Sequence, residues 1–225
     1  MRNLISCLTA GVALGIVVAC ALSGAVEKET EDVLAGWTTD FTAEKPDLVS
    51  SGRNPYFILE PGYVLVLEGG DERLTITVKN ETNMVDGVEC RVVEEHETKA
   101  GKVIEVSNNY FAISKRTNSV YYFGEDAGGA WRSGEKGVRF GLMMPGLPLL
   151  KGRHYQEIAP GDAMDRAEIL SVTETVTTPA GEFKNCLKME ETTPLEPAEK
   201  AHKFYAPGVG LVREGSLKLV KHGKP

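Results

Sequence analysis

The sequence is poor in the residues that carry most recognisable chemistry. Histidine occurs four times, tryptophan twice and cysteine four times in 225 residues, and aromatics make up only 7%. No CxxC pair, EF-hand loop, GxSxG elbow or GxxxxGK(S/T) phosphate loop is present, and His96-Glu97 is followed by Thr98-Lys99-Ala100, which breaks the HExxH zinc pattern. Gly208-Val209-Gly210 runs into Leu211-Val212-Arg213, so the dinucleotide fingerprint fails too, and a tight turn is the simpler use of these glycines. Nothing in the sequence calls for a cofactor or a metal. Positive charge is also short: 25 Lys+Arg stand against 32 Asp+Glu, for a net −7, and the basic residues are scattered. A nucleic-acid partner would need a basic stripe, so none is expected.

What is present first is an address. Arg2 precedes an apolar run from Leu4 to Ala19 and then small residues, the layout of a secretory signal over residues 1–25. The run is short for a membrane span, and Glu27, Glu29, Glu31 and Asp32 follow closely. Two processing readings stand side by side. Val17-Val18-Ala19-Cys20 resembles a bacterial lipobox, which would make Cys20 a lipidated N-terminus, whereas Ser23-Gly24-Ala25 offers an ordinary signal-peptidase site. The expected location is exported, periplasmic or outer-surface, with any membrane contact made through the lipid.

Residues 26–53 show no sustained period and read as a tether, with one helical turn near Glu31 to Ala35. From Asn54 the texture changes to short apolar alternations parted by Gly, Pro and Asn turns. In Arg73 to Lys79, Leu74, Ile76 and Val78 point one way and Thr75 and Thr77 the other. The same pattern places strands near 63–68, 87–97, 102–113, 119–123, 164–177, 183–191, 200–206 and 210–220, with a helix start conceivable from Pro160 to Ala167 and a tail at 221–225. The fold class is mainly β: an antiparallel meander over 54–220 that curls into a curved sheet or open β-barrel, with a two-sheet sandwich as the alternative.

Four groups of residues are candidates for function. Cys90 and Cys186 remain after the leader, and an exported chain would join them in a disulfide. Their phases argue against easy pairing, because Cys90 alternates with Val88 and Val92 but Cys186 with Lys184, Lys188 and Glu190. The alternative is two buried free thiols. Glu94 and His96 continue the Val88–Val92 face and, with Glu157 and Glu191, make a conceivable polar pocket for acid–base or metal work. The glycine-rich segment 124–137 around Trp131 suggests a flap. The apolar stretch 141–150, with Leu142, Met143 and Met144, suits a ligand lid or a plug on the sheet's open end.

Several phrases occur in a suggestive order: Asn54-Pro55-Tyr56-Phe57 with Pro61-Gly62-Tyr63, then Tyr122-Phe123-Gly124-Glu125-Asp126 and Tyr155-Gln156-Glu157-Ile158-Ala159-Pro160-Gly161. They continue with Thr178-Pro179-Ala180-Gly181-Glu182-Phe183, Glu191-Thr192-Thr193-Pro194 and Tyr205-Ala206-Pro207-Gly208-Val209-Gly210-Leu211-Val212. Across about 54–214 the chain resembles a group of exported bacterial proteins and lipoproteins without an assigned activity. The resemblance implies an exported, β-rich domain and carries over no catalytic residue. In architecture it is loosely similar to lipoprotein carriers of the LolA and LolB type. The leading expectation is a non-enzymatic binding protein for an apolar or amphipathic ligand. An envelope-assembly module with a protein partner comes next, and a metal-dependent hydrolase built on Glu94 and His96 last.

Overall fold

The computed structural model describes residues 35–127 and 130–225. The expected leader and lipobox, and all but Ala35 of the helical turn expected near Glu31 to Ala35, lie outside the described residues. A short 3-10 turn (Thr42–Asp47) precedes β1 (Leu48–Val49), β2 (Gly52–Asn54) and β3 (Phe57–Leu59). The main sheet follows: β4 (Val64–Gly69), β5 (Glu72–Val85), β6 (Val88–Lys99), β7 (Lys102–Ser114), β8 (Val120–Glu125), β9 (Trp131–Arg132) and β10 (Arg139–Met144). Then come β11 (Arg153–Tyr155), β12 (Glu157–Ile158), β13 (Arg166–Thr178), β14 (Gly181–Thr192), β15 (Lys200–Ala206), β16 (Gly210–Glu214) and β17 (Leu217–Gly223).

The sheet order is β11-β13-β14-β15-β16-β17-β4-β5-β6-β7-β8-β10-β12, an antiparallel sheet of 13 strands nearly closed into a barrel with one unsealed seam. Closure hides the edges that a flat meander would expose. Tight turns set the register. Asp86-Gly87 (φ 50° and 73°) and Ala100-Gly101 (φ 49° and 73°) are two-residue connections in left-handed conformation, which matches the twist of the long hairpins β5–β6 and β6–β7.

The seam has an unusual construction. Residues 153–158 are one extended segment that changes partner halfway: Arg153, His154 and Tyr155 pair with β13, and Glu157 and Ile158 pair with β10. Gln156 stands at the switch, and both its N–H and that of Glu157 donate to the Asp165 carbonyl (2.8 and 3.1 Å). Strand β10 passes this point through Gly141, where a Cβ would come within 2.3 Å of the Gln156 carbonyl oxygen.

Two apolar cores lie on opposite faces of the sheet. The larger fills the barrel, with Leu67, Leu74, Val93, Ile113, Leu187, Met189 and Leu219 among its members. The smaller lies outside it, where Phe41, with Trp37 and Leu48 beside it, covers Cys90, Tyr121, Phe123, Phe140 and Tyr155. The stretch read as a tether is therefore built into the fold from Trp37 onward. Thr38 pairs in parallel with His154 along β11, exchanging backbone bonds of 3.0 Å with Arg153 and Tyr155.

Other expectations are corrected here. Cys90 and Cys186 are free and buried, one in the outer core and one in the inner core, on strands that are not neighbours, so no disulfide joins them. Pro160 to Ala167 is turn and strand, not helix. The strand read at 210–220 is the hairpin β16–β17, and β17 takes in most of the expected tail.

Candidate functional site: a cavity with an apolar and an acidic end

The barrel encloses a cavity with two chemically distinct ends. Tyr56, Phe57, Tyr63, Leu65, Ile76, Val78 and Leu211 line the apolar end. Asn109, Tyr122, Gln156, Glu157, Asp165 and Glu191 line the other end. Glu95, Phe111, Met143 and Lys203 line both, so the two ends adjoin at these four side chains.

The apolar end is closed by the β2–β3 hairpin. Asn54 is fully buried, and its side-chain amide donates to the carbonyls of Asn118 and Pro145 (2.8 and 3.0 Å) while its oxygen accepts from the Tyr56 N–H (2.7 Å). That fixes the turn that presents Tyr56 and Phe57 to the cavity. Tyr63 donates its hydroxyl proton to the Val209 carbonyl (3.0 Å), and the Gly208 N–H donates to the Pro55 carbonyl (2.7 Å). The phrases around Asn54, Tyr63 and Gly208 thus meet at one rim.

The acidic end is assembled at the seam. Lys203 on β15, only 2% exposed, reaches Glu191 at 2.7 Å and Glu214 at 3.5 Å. The second Glu191 oxygen accepts from the Gln156 amide (3.0 Å), so this carboxylate is fully engaged. Tyr122 donates to Glu125 (2.8 Å) and lies against the Asn109 oxygen. Among the described residues, Glu95 Oε2 is buried without a hydrogen-bond partner, and Glu214 takes no hydrogen bond and has only its ion pair with Lys203.

Six carboxyl groups, on Glu95, Glu125, Glu157, Asp165, Glu191 and Glu214, therefore share this region with the Lys203 ammonium. Charge in so dry a place is costly, and burial pushes Glu95, Glu157, Asp165 and Glu214 toward their protonated forms. Burial, only partly offset by Lys203, pushes Glu95 up to about 8. Burial and then Glu191 push Asp165 to about 7, and burial with Asp165 beside it lifts Glu157 well above the ordinary carboxyl range. Glu97, farther along the β6 inner face, is raised to about 7 by burial and Glu105. Burial opposes the charge on Lys203, but Glu191 and Glu214 outweigh it and hold its pKa well above the usual lysine value.

The structure distributes the sequence candidates unevenly. Glu157 and Glu191 line the cavity, as does Met143. Glu94 and His96 do not: they alternate with Val93 and Glu95, which face inward, and Glu94 pairs outside with Lys79 at 3.2 Å. The Val88–Cys90 face that suggested them packs on the outer core, so the inward phase of β6 is the opposite one. The convergence that a hydrolase would need among Glu94, His96, Glu157 and Glu191 is absent. Among the described residues, no group of three or more His, Cys, Asp or Glu side chains is arranged to hold a metal ion.

Trp131 is 3% exposed and packs edge-on against Tyr122 at 5.1 Å, and so belongs to the wall instead of a flap. Met144 is fully buried in the inner core and Leu142 packs on the outer one, both within β10, so neither is part of a lid. Glu95 and Lys203 were missed. Alternation with Val93 and with Tyr205 could have found them, given knowledge of which face is interior. Compared with known proteins, the chain matches no protein-family model, no curated protein and no solved structure.

Proposed function

We propose that this chain is an exported, lipid-anchored binding protein that takes an amphipathic small molecule into its barrel. The apolar part of the ligand occupies the end lined by Phe57, Leu65 and Ile76, and a cationic head lies among the carboxyl groups at the seam. The observation that carries this reading is that the apolar and acidic ends adjoin, with Glu95, Phe111, Met143 and Lys203 lining both. A ligand cation would supply the partner that Glu95 Oε2 lacks, and its charge would favour the ionised form of the raised acids. Pockets that fix a ligand with a few polar groups on a mostly apolar wall are the ordinary form of small-molecule sites.

Native mass spectrometry on the protein purified from its own cells tests the proposal. The expected result is a non-covalent adduct that is lost on denaturation and depleted in Glu95→Gln. A chain that carries no adduct, and that binds no added long-chain amine, would overturn it.

A further inference from the structure

The end of the apolar stretch 141–150 leaves the barrel altogether. Leu147, Leu149 and Leu150 are 76%, 65% and 60% exposed, an unusual concentration of bare leucine on one turn. The turn is held from both sides and is not a loose loop. At its first foot Gly146 donates to Ser119 Oγ (3.0 Å) and sits so close to the Thr117 carbonyl that a Cβ would lie 1.8 Å from that oxygen. At its second foot the Gly152 N–H donates to Leu149 and the Lys151 N–H to Ile169, both at 2.8 Å. The leucines are therefore displayed by a fixed scaffold, with exposed Lys151 next in the chain and exposed Lys115 in the 115–118 turn, whose Thr117 and Asn118 abut Gly146.

The chain that leads to the leader leaves the fold at the same place. Thr38 runs parallel to β11 beside His154, so the chain going back from Trp37 heads toward residues 151–152, and the Ala35 carbonyl accepts from the Arg153 guanidinium at 3.3 Å. From Cys20 to Ala35 the chain can span at most on the order of 50 Å, so an anchor at Cys20 would confine this end of the barrel to within that distance of the bilayer.

We infer that the Leu147–Leu150 turn is a membrane foot, whose leucines enter the lipid while Lys115 and Lys151 meet anionic headgroups. Apolar side chains flanked by lysines are the combination that an interfacial anchor needs. The inference rests on the anchorage part of the proposed function and is independent of the ligand. It would orient the barrel with the 115–118 and 145–152 turns against the membrane and the β6–β7 hairpin tip away from it.

The test uses the full chain reconstituted in vesicles of phosphatidylcholine and phosphatidylglycerol, with a tryptophan probe introduced as Leu149→Trp or, at the far end of β7, Val103→Trp. Val103 is itself 58% exposed, which makes it a matched control. With acyl-brominated lipid, the added emission of Leu149→Trp should fall about twofold or more and that of Val103→Trp should not change. Flotation with the vesicles but no quenching at position 149 would overturn the inference alone and point to a protein partner for the leucines. Failure to float would overturn the anchorage reading and the inference with it. Adding Leu147→Gln and Leu150→Gln to the Leu149→Trp chain should leave its melting temperature unchanged, since neither leucine is buried, yet weaken the brominated-lipid quenching of the added tryptophan; unchanged quenching would overturn the inference.

Discussion

The two ends of the cavity are made by the same strands under opposite rules. On β6, Val93 serves the apolar end and Glu95, two residues on, touches both ends. On β15, Tyr205 faces the apolar end and Lys203 lines both. The apolar end obeys ordinary barrel packing, where each inward side chain removes its own surface from water. The acidic end breaks that pattern just where the sheet ladder is interrupted at Gln156. A fold that sacrifices a ladder and buries carboxyl groups at one place has given up stability there, which is how binding sites differ from cores.

Removing the central cation is the severest way to break this contrast. Lys203→Met would leave Glu191 and Glu214 facing each other without compensation, and should cost about 3–5 kcal/mol in urea unfolding. Adding Glu191→Gln should recover part of that loss. A smaller cost should follow Gly141→Ala, which forces a methyl group toward the Gln156 carbonyl and shifts the seam. About 1–3 kcal/mol is expected, read in the same assay.

The acidic end should also show in the pH profile. Glu95, Asp165 and Glu97 have folded pKa values raised to about 8, 7 and 7, so the native state holds protons that the unfolded chain has released. Their stabilising contribution is complete below the ordinary carboxyl pKa and is lost as pH rises through about 7 to 8. His154, lowered to about 4 by burial, works the other way and takes stability away as pH falls below about 6.5. Thermal melts should therefore give a higher midpoint near pH 6.5 than at pH 8.5, and Glu95→Gln should flatten that difference. A midpoint that rises between these values would refute the acid assignment.

The smallest effect belongs to the thiols. Burial drives Cys90 up to about 12 and raises Cys186, so neither should react with iodoacetamide in the native protein, and reductant should not change the melting temperature. Peptide mapping after labelling with and without urea reads this directly.

Much of the barrel was legible from alternation and turn residues. The β5–β6–β7 meander and the β13–β14 hairpin fall where period-2 patterns meet Asp-Gly, Ala-Gly and Pro-Ala-Gly turns. The failures share a physical cause. Alternation tells which residues share a face, but not which face is interior, and here both faces of β6 and β8 are covered because the segment from Trp37 to Val49 folds back over them. That second core turned Glu94 and His96 into false inward candidates and concealed Glu95. The disulfide expected of Cys90 and Cys186 in an exported chain fails for the reason their opposed phases gave: the two lie in different cores. Strand β10 was unreadable for a different reason: Met144 is buried in the inner core and Leu142 half-buried against the outer one, across the β-bulge between them, so the segment is apolar throughout and shows no period. Glu157 and Glu191 stood out as acids in strand-like surroundings, whereas Lys203, between His202 and Phe204, carried no mark of being buried.

The most direct test of the two-ended cavity is calorimetric titration of the folded protein with decylamine, decanol and decanoate, which share a tail and differ in the head. Decylamine should bind one per chain and more tightly than the other two. Its affinity should rise between pH 6 and pH 8 as the raised acids ionise, and should fall in Glu95→Gln. Decanoate binding as tightly as decylamine, or an amine affinity indifferent to both pH and Glu95, would contradict the account.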